Sequence, residues 1–325
     1  MRVNPVLVEV ERSGFVESWH RGSAIGLAAD GSMTVRAGVP EAPIFPRSAN
    51  KPMQAVAMLS TAVGLSGELL ALAAGSHSGE DFHVEGTEKI LAGAGLTAED
   101  LQCPAQWPLE PSVGLELARS GGDRSRLRMN CSGKHAGMLA ACVAAGWPTG
   151  SYLDPGHPLQ LAVRDVVTRL AGEAPVAIGI DGCGAPLFAV SAIGVARAFR
   201  ALVLAEPGSP ERRVADAMRD HPQWTSGTAR EERRLMDAVP GLLVKCGAEG
   251  VDAFAFADGR AGVVKIDDGA MRARTPVTVA LLRALDLDTV PGADAETLAD
   301  LATVRLHGGD ATAGEIRPAD GLFAN

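Results

Sequence analysis

Five short segments of the chain place nucleophiles, amines and metal-ligating groups at spacings that could do chemistry. In Pro46-Arg47-Ser48-Ala49-Asn50-Lys51-Pro52, a Ser at a helix start and a Lys three residues later share one face. A neutral amine there could take the Ser proton and activate a nucleophile without any His; a capping Ser followed by a surface Lys is the plain alternative. Ala74-Gly75-Ser76-His77-Ser78-Gly79-Glu80 reads as a tight loop of small and polar residues after an apolar helix, the setting functional serines favour. Asn130-Cys131-Ser132-Gly133-Lys134-His135-Ala136-Gly137-Met138 brings a thiol, a hydroxyl, an amine and an imidazole into five positions. It lacks the first glycine of a phosphate loop, so nucleotide binding is rejected, whereas metal binding stays open.

Gly179-Ile180-Asp181-Gly182-Cys183-Gly184 exposes backbone around a second thiol, which could complete a site begun at Cys131. Two Cys plus one other group are too few for structural zinc and suit a site with an open or water position. The last segment joins Lys245-Cys246-Gly247-Ala248-Glu249 to Val263-Val264-Lys265-Ile266-Asp267-Asp268, where Lys265 stands in an apolar strand and must be paired or face solvent. Composition sharpens these readings: of 30 basic residues only five are Lys, at 51, 89, 134, 245 and 265. Lys can give up its proton when buried and Arg cannot, so four lysines in chemical-looking segments are informative.

The 325 residues carry 39 acidic groups against 30 basic ones, a net charge of −9, with 46% hydrophobic content. An acidic chain without a basic block argues against nucleic acid. No apolar run approaches the roughly 18 to 20 residues of a membrane span, and residues 1–13 lack a secretory h-region. The expectation is a cytoplasmic protein, with its five scattered cysteines reduced.

The elements that must position these groups follow from periodicity. Strands are expected over Val6–Val16, Ser23–Leu27 and Met33–Val35, and again over Leu242–Cys246, Val251–Ala257 and Ala261–Ile266. Helices are expected over Ser48–Val63, Gly67–Ala73, Val84–Ala92, Lys134–Ala145, His157–Leu170, Glu211–Arg219, Glu231–Val239 and Thr275–Leu285. Ala185–Leu204 is ambiguous between the two, and the tail 286–325, with one short helix at Ala295–Ala302, is the least committed part. Strands at both ends around a helical middle (about 48–240) give an α+β fold: an antiparallel sheet from N- and C-terminal segments, in a single domain over 1–325.

Six motifs then occur in one order: Pro-Arg-Ser-x-x-Lys-Pro, Gly-Ser-His-Ser-Gly-Glu, Asn-Cys-Ser-Gly-Lys-His-Ala-Gly-Met, Asp-Gly-Cys-Gly-x-Pro, Gly-Ala-Glu-Gly and Lys-Ile-Asp-Asp-Gly. The set resembles the Rhizobium-etli-type L-asparaginases, the asparaginase II family, from about residue 5 to 285. The resemblance implies a serine β-lactamase/glutaminase-like fold, and hydrolysis of L-asparagine to L-aspartate and ammonia by a homodimer. It also implies two Ser-Lys tandems, Ser48 with Lys51 and Ser78 with Lys265, with Lys245 as the fallback for Lys265. A supporting zinc would fall on Cys131, Lys134 and Cys183, with Asp181 at its water. Arg47 and Asp181 are candidates for the substrate's carboxylate and ammonium groups, with Glu249 and Arg260 as alternates. Another Ser-Lys amidohydrolase such as a glutaminase, or a catalytically silent zinc or amino-acid-binding protein, is the competing expectation.

Overall fold

A computed structural model describes residues 3–323; positions 1, 2, 324 and 325 of the single-domain expectation lie outside the described residues. In chain order the strands are β1 (Val6–Arg12), β2 (Phe15–Leu27), β3 (Met33–Ala37), β4 (Pro43–Ile44), β5 (Ala177–Ile180), β6 (Pro186–Ser191), β7 (Leu242–Gly247), β8 (Val251–Phe256), β9 (Ala261–Ile266), β10 (Val304–Gly308) and β11 (Ala311–Pro318). The helices are α1 (Lys51–Leu59), α2 (Gly67–Ala73), α3 (Asp81–Gly93), α4 (Pro111–Arg119), α5 (Ser132–Ala145), α6 (Pro158–Ala171), α7 (Ala192–Leu204), α8 (Pro210–Asp220), α9 (Pro222–Thr225), α10 (Glu231–Ala238), α11 (Met271–Ala284) and α12 (Ala295–Leu301). The chain divides into two compact units, one of 1–49, 189–204 and 234–325, the other of 50–188 and 205–233.

The first unit is built on an antiparallel sheet in the order β10-β11-β1-β2-β9-β8-β7, with β3 also pairing β2. Alternation decides which face each residue serves. Val264, Ile266, Phe254 and Val244 share one cluster with Val277 and Leu281 of α11. The intervening Val263, Ala253 and Leu243 are fully buried as well, and α7 lies against β8 and β9. The α+β expectation holds, with strands from both ends of the chain in one antiparallel sheet.

The second unit is helical. Its centre is α5, which contacts α1, α2, α3 and α6. Small residues permit this: a Cβ at Gly133 would stand 2.5 Å from Leu72 Cγ, and one at Gly137 3.0 Å from both Ala73 Cβ and Met58 Sδ. The small-residue run after Lys134 is therefore a close helix-to-helix contact.

Three expected elements change. The strand over Val6–Val16 is interrupted at Ser13–Gly14, both at positive φ, and becomes two paired strands. The helix over Ser48–Val63 is shorter: Arg47–Asn50 is a 3-10 turn, and α1 runs from Lys51 until the Ser60 and Thr61 hydroxyls donate back to the Ala57 and Met58 carbonyls. The ambiguous Ala185–Leu204 is β6 followed directly by α7. Among the described residues no helix is long and apolar enough to cross a membrane.

Candidate active site

The loop after α2 is shaped by what cannot fit in it. A Cβ at Gly75 would lie 2.5 Å from the Thr225 carbonyl oxygen, so only glycine lets the chain pass there. Beyond it, Ser76 N–H donates to Thr225 O at 2.8 Å and His77 N–H to Asn130 O at 3.1 Å. These bonds aim the loop at Lys51, the first residue of α1, which is 1% exposed. Lys51 Nζ lies 2.5 Å from Gly75 O, 2.9 Å from Ser76 Oγ and 3.4 Å from Asn130 O. The two carbonyls can only accept, while the Ser76 hydroxyl can also donate. Lys51 Nζ donates to all three oxygens, and the Ser76 hydroxyl is the one of them that also carries a proton.

Ser76 was not singled out by sequence, although its segment was. Helical spacing pairs Lys51 with Ser48, and the resemblance picks Ser78; Ser76 meets Lys51 only through the tertiary fold. Ser78 is fully buried and donates to Ser226 O at 3.0 Å. The adjoining Gly227 has φ +143°, and a Cβ there would stand 1.9 Å from Ser78 Oγ. Ser78 is thus packed beneath the Ser226–Gly227 backbone.

The second cluster stands at the start of α5. Lys134 Nζ donates to Cys183 Sγ at 3.0 Å, and both are buried. The hydrogen bond from Cys131 holds the Cys183 thiol far below its ordinary value despite its burial, and Lys134 adds to this. That same bond, with burial, pushes Cys131 up. Burial works against the Lys134 charge, but Cys183 and Cys131 outweigh it and raise its pKa. Lys134 and Cys183 thus make a buried hydrogen-bonded pair in which each partner favours charge on the other. Beside them His135 Nδ1 meets the Tyr152 hydroxyl at 2.7 Å, and its ring also bonds the Cys183 sulfur. Burial first, then Lys134, lowers its pKa to about 4.

Among the described residues no three His, Cys, Asp or Glu side chains gather as a metal-holding group. The cluster instead offers two thiols and an amine, with the His135 imidazole beside Cys183. That donor chemistry fits zinc. Asp181 contributes negative charge toward Lys134, and its Oδ1 accepts from Gly182 N–H at 2.9 Å.

The remaining candidates belong to the first unit. Arg47 and Glu249 are non-glycine residues held at φ +52° and +61°. Such conformations cost energy and gather at functional sites. The Arg47 guanidinium stands 3.8 Å from the Glu249 carboxylate. Half-buried Ser48 follows in the 3-10 turn. Lys265 Nζ donates to Glu249 O and Ile266 O, each at 2.6 Å. Burial lowers its pKa and Arg47 adds to this, against the opposing pull of Asp267, Glu249 and Asp268. Lys245, the fallback, is fully buried and donates to Cys246 O at 2.8 Å. Arg260 serves the fold, bonding Asp258 in the β8–β9 turn and Leu285 O beyond α11.

Several solved structures are similar to the chain. Mglu in its native form aligns with a TM-score of 0.44 and 13% identity, covering 83% of this chain and 64% of that one. A Bacillus glutaminase aligns at 0.45 and 11%, covering 82% and 91%. The chain thus spans about 64% of the length of Mglu. No curated protein matches the sequence. The family comparison is decisive where these are distant: L-asparaginase II matches residues 8–318, and the chain belongs to the L-asparaginase II family.

Proposed function

We propose that the protein is an amidohydrolase that releases ammonia from L-asparagine through a Ser-Lys activated nucleophile. The observation carrying this reading is the buried Lys51 amine among two carbonyls and the Ser76 hydroxyl. Lys51 takes the Ser76 proton as Oγ bonds to the side-chain amide carbon. The C–N bond breaks, and ammonia leaves with the proton returned by Lys51. Water then attacks the ester, Lys51 again accepting a proton, and releases the carboxylate while Ser76 recovers its hydrogen. Each proton transfer of this kind contributes typically about 10²- to 10⁴-fold.

Family membership supports an amide as the reacting group. For L-asparagine itself, the Arg47 guanidinium and the Asp181 or Glu249 carboxylates offer the opposite charges that an α-amino acid requires. Zinc held by Cys131, Lys134 and Cys183 would supply a fixed positive charge for orienting the substrate. In this reading Ser76 takes the place that the resemblance gives to Ser48 as partner of Lys51, and Ser78 and Lys265 stand outside the reacting pair. A homodimer and a cytoplasmic location complete the proposal.

The test is ammonia release from L-asparagine and from L-glutamine by zinc-replete protein, with metal content measured alongside. Turnover of asparagine, abolished in Ser76→Ala and retained in Ser78→Ala, is the expected result. Preference for glutamine would assign the alternative substrate. Loss in Ser48→Ala with retention in Ser76→Ala would move the nucleophile to Ser48.

A further inference from the structure

His77 lies between the two loop serines, and the mechanism above does not use it. Its ring is fully buried and lies face to face with His83, with centroids 4.9 Å apart. Gly79 N–H donates to His77 Nδ1 at 3.2 Å, which fixes that nitrogen as an acceptor. The neutral ring therefore carries its proton on Nε2, which donates to Ser132 Oγ at 2.8 Å, and Ser132 in turn donates to Leu127 O at 2.8 Å. The bonds run in one direction from the serine loop, through the ring, into the first turn of α5. The backbone repeats the link: Asn130 O accepts from both His77 N–H and Lys51 Nζ.

We infer that His77 is a positioning residue that ties the Gly75–Gly79 loop to the 127–132 corner, holding Ser76 Oγ, Gly75 O and Asn130 O in register around Lys51 Nζ. Without the ring, the His77 N–H to Asn130 O and Arg128 to Gly79 O bonds remain, but the side-chain tie is lost and the register loosens; a displacement near 1 Å at a reacting pair can cost about 100-fold. The inference rests on the Ser76–Lys51 reading.

The experiment measures the reactivity of Ser76 directly, so that its failure differs from failure of the proposed substrate. A fluorophosphonate probe forms an Oγ–P bond as fluoride leaves and Lys51 takes the proton; labelling of Ser76 is followed by peptide mass spectrometry on the full chain. His77→Asn keeps an acceptor for Gly79 N–H but ends short of Ser132. His77→Gln reaches Ser132 with an amide N–H. The expected result is labelling about 100-fold slower in His77→Asn and restored to within about 10-fold of wild type in His77→Gln. Melting temperatures of the two variants should agree. Ser132→Ala, which leaves the ring and removes its far anchor, should slow labelling as well. In steady state the His77→Asn loss should fall on kcat, with KM little changed. Wild-type labelling rates in His77→Asn or Ser132→Ala, losses that merely follow the unfolded fraction, or an unreactive Ser76 in the wild type would each overturn the inference. A wild type labelled at Ser76 yet releasing no ammonia from either amide would overturn the substrate and leave the role of His77 standing.

Discussion

Lys51 and Lys134 are buried to the same 1% exposure in the same helical unit, and they donate to different partners. Lys134 meets a sulfur whose charge is stabilised, so its ammonium is held in place by an ion pair. Lys51 donates to oxygens at Gly75, Ser76 and Asn130, and its charge also reaches the Cys131 sulfur. Burial alone therefore does not make a lysine a base. The neighbours decide: a sulfur anion keeps the proton on the amine it pairs with, whereas a hydroxyl in reach gives the amine a proton to exchange.

Exchanging the lysines for other side chains tests that difference most severely. Lys51→Arg retains a cation that cannot give up its proton, and kcat for ammonia release should fall about 10⁴-fold. A variant with near-normal turnover would remove the distinction between the two sites. Lys134→Met strands the charge on Cys183, and a broken buried pair costs about 3–5 kcal/mol, read from chemical denaturation of metal-free protein. A loss below about 1 kcal/mol would show that the pair is not charged.

The buried neutral groups predict the acid side. His83 is lowered to about 4, by burial opposed by its bond to Gln223 O and by Glu80, and His135 is also lowered to about 4. Each stays neutral in the folded chain where the unfolded chain takes up a proton. Stability is full above pH 6.5 and declines as pH falls toward 4, by up to about 3 kcal/mol for each group. Denaturation measured between pH 7 and 4 checks the slope, and His83→Gln should flatten it. The smallest effect is expected for Ser78→Ala, which deletes one buried hydrogen bond to Ser226 O. It should cost about 1 kcal/mol of stability and little activity. A collapse of turnover there would return Ser78 to the chemistry.

Periodicity located what depends on nearest neighbours along the chain. Gly67–Ala73 and Ala261–Ile266 are found where their apolar spacing puts them, because a helix face and a strand alternation are local facts. α4 escaped notice because its residues all remain at least partly exposed, leaving no core stripe to detect. The β10–β11 hairpin escaped for a related reason: of its residues only Ile316 is buried, so the alternation is faint. In the site, lysine scarcity and the motifs found Lys51, Lys134, Cys131 and Cys183. They did not find Ser76 as the partner of Lys51, because a contact between residues 25 positions apart is set by the Thr225 and Asn130 carbonyls, which carry no side-chain signature.

The pairing of β1 with β11 has a consequence for how the chain acquires its structure. Val8 lies opposite Pro318 and Arg12 opposite Gly314, so one strand pair joins residues some three hundred positions apart. Such a ladder carries a large loop-closure cost and forms slowly. During synthesis from the N-terminus, β1 must wait for β11 to emerge, while nearly all partners of the helical unit lie within 50–233 and are already present. The sheet is then the late step, and its waiting strands, unpaired at their edges, are where a nascent chain of this protein is most exposed to aggregation.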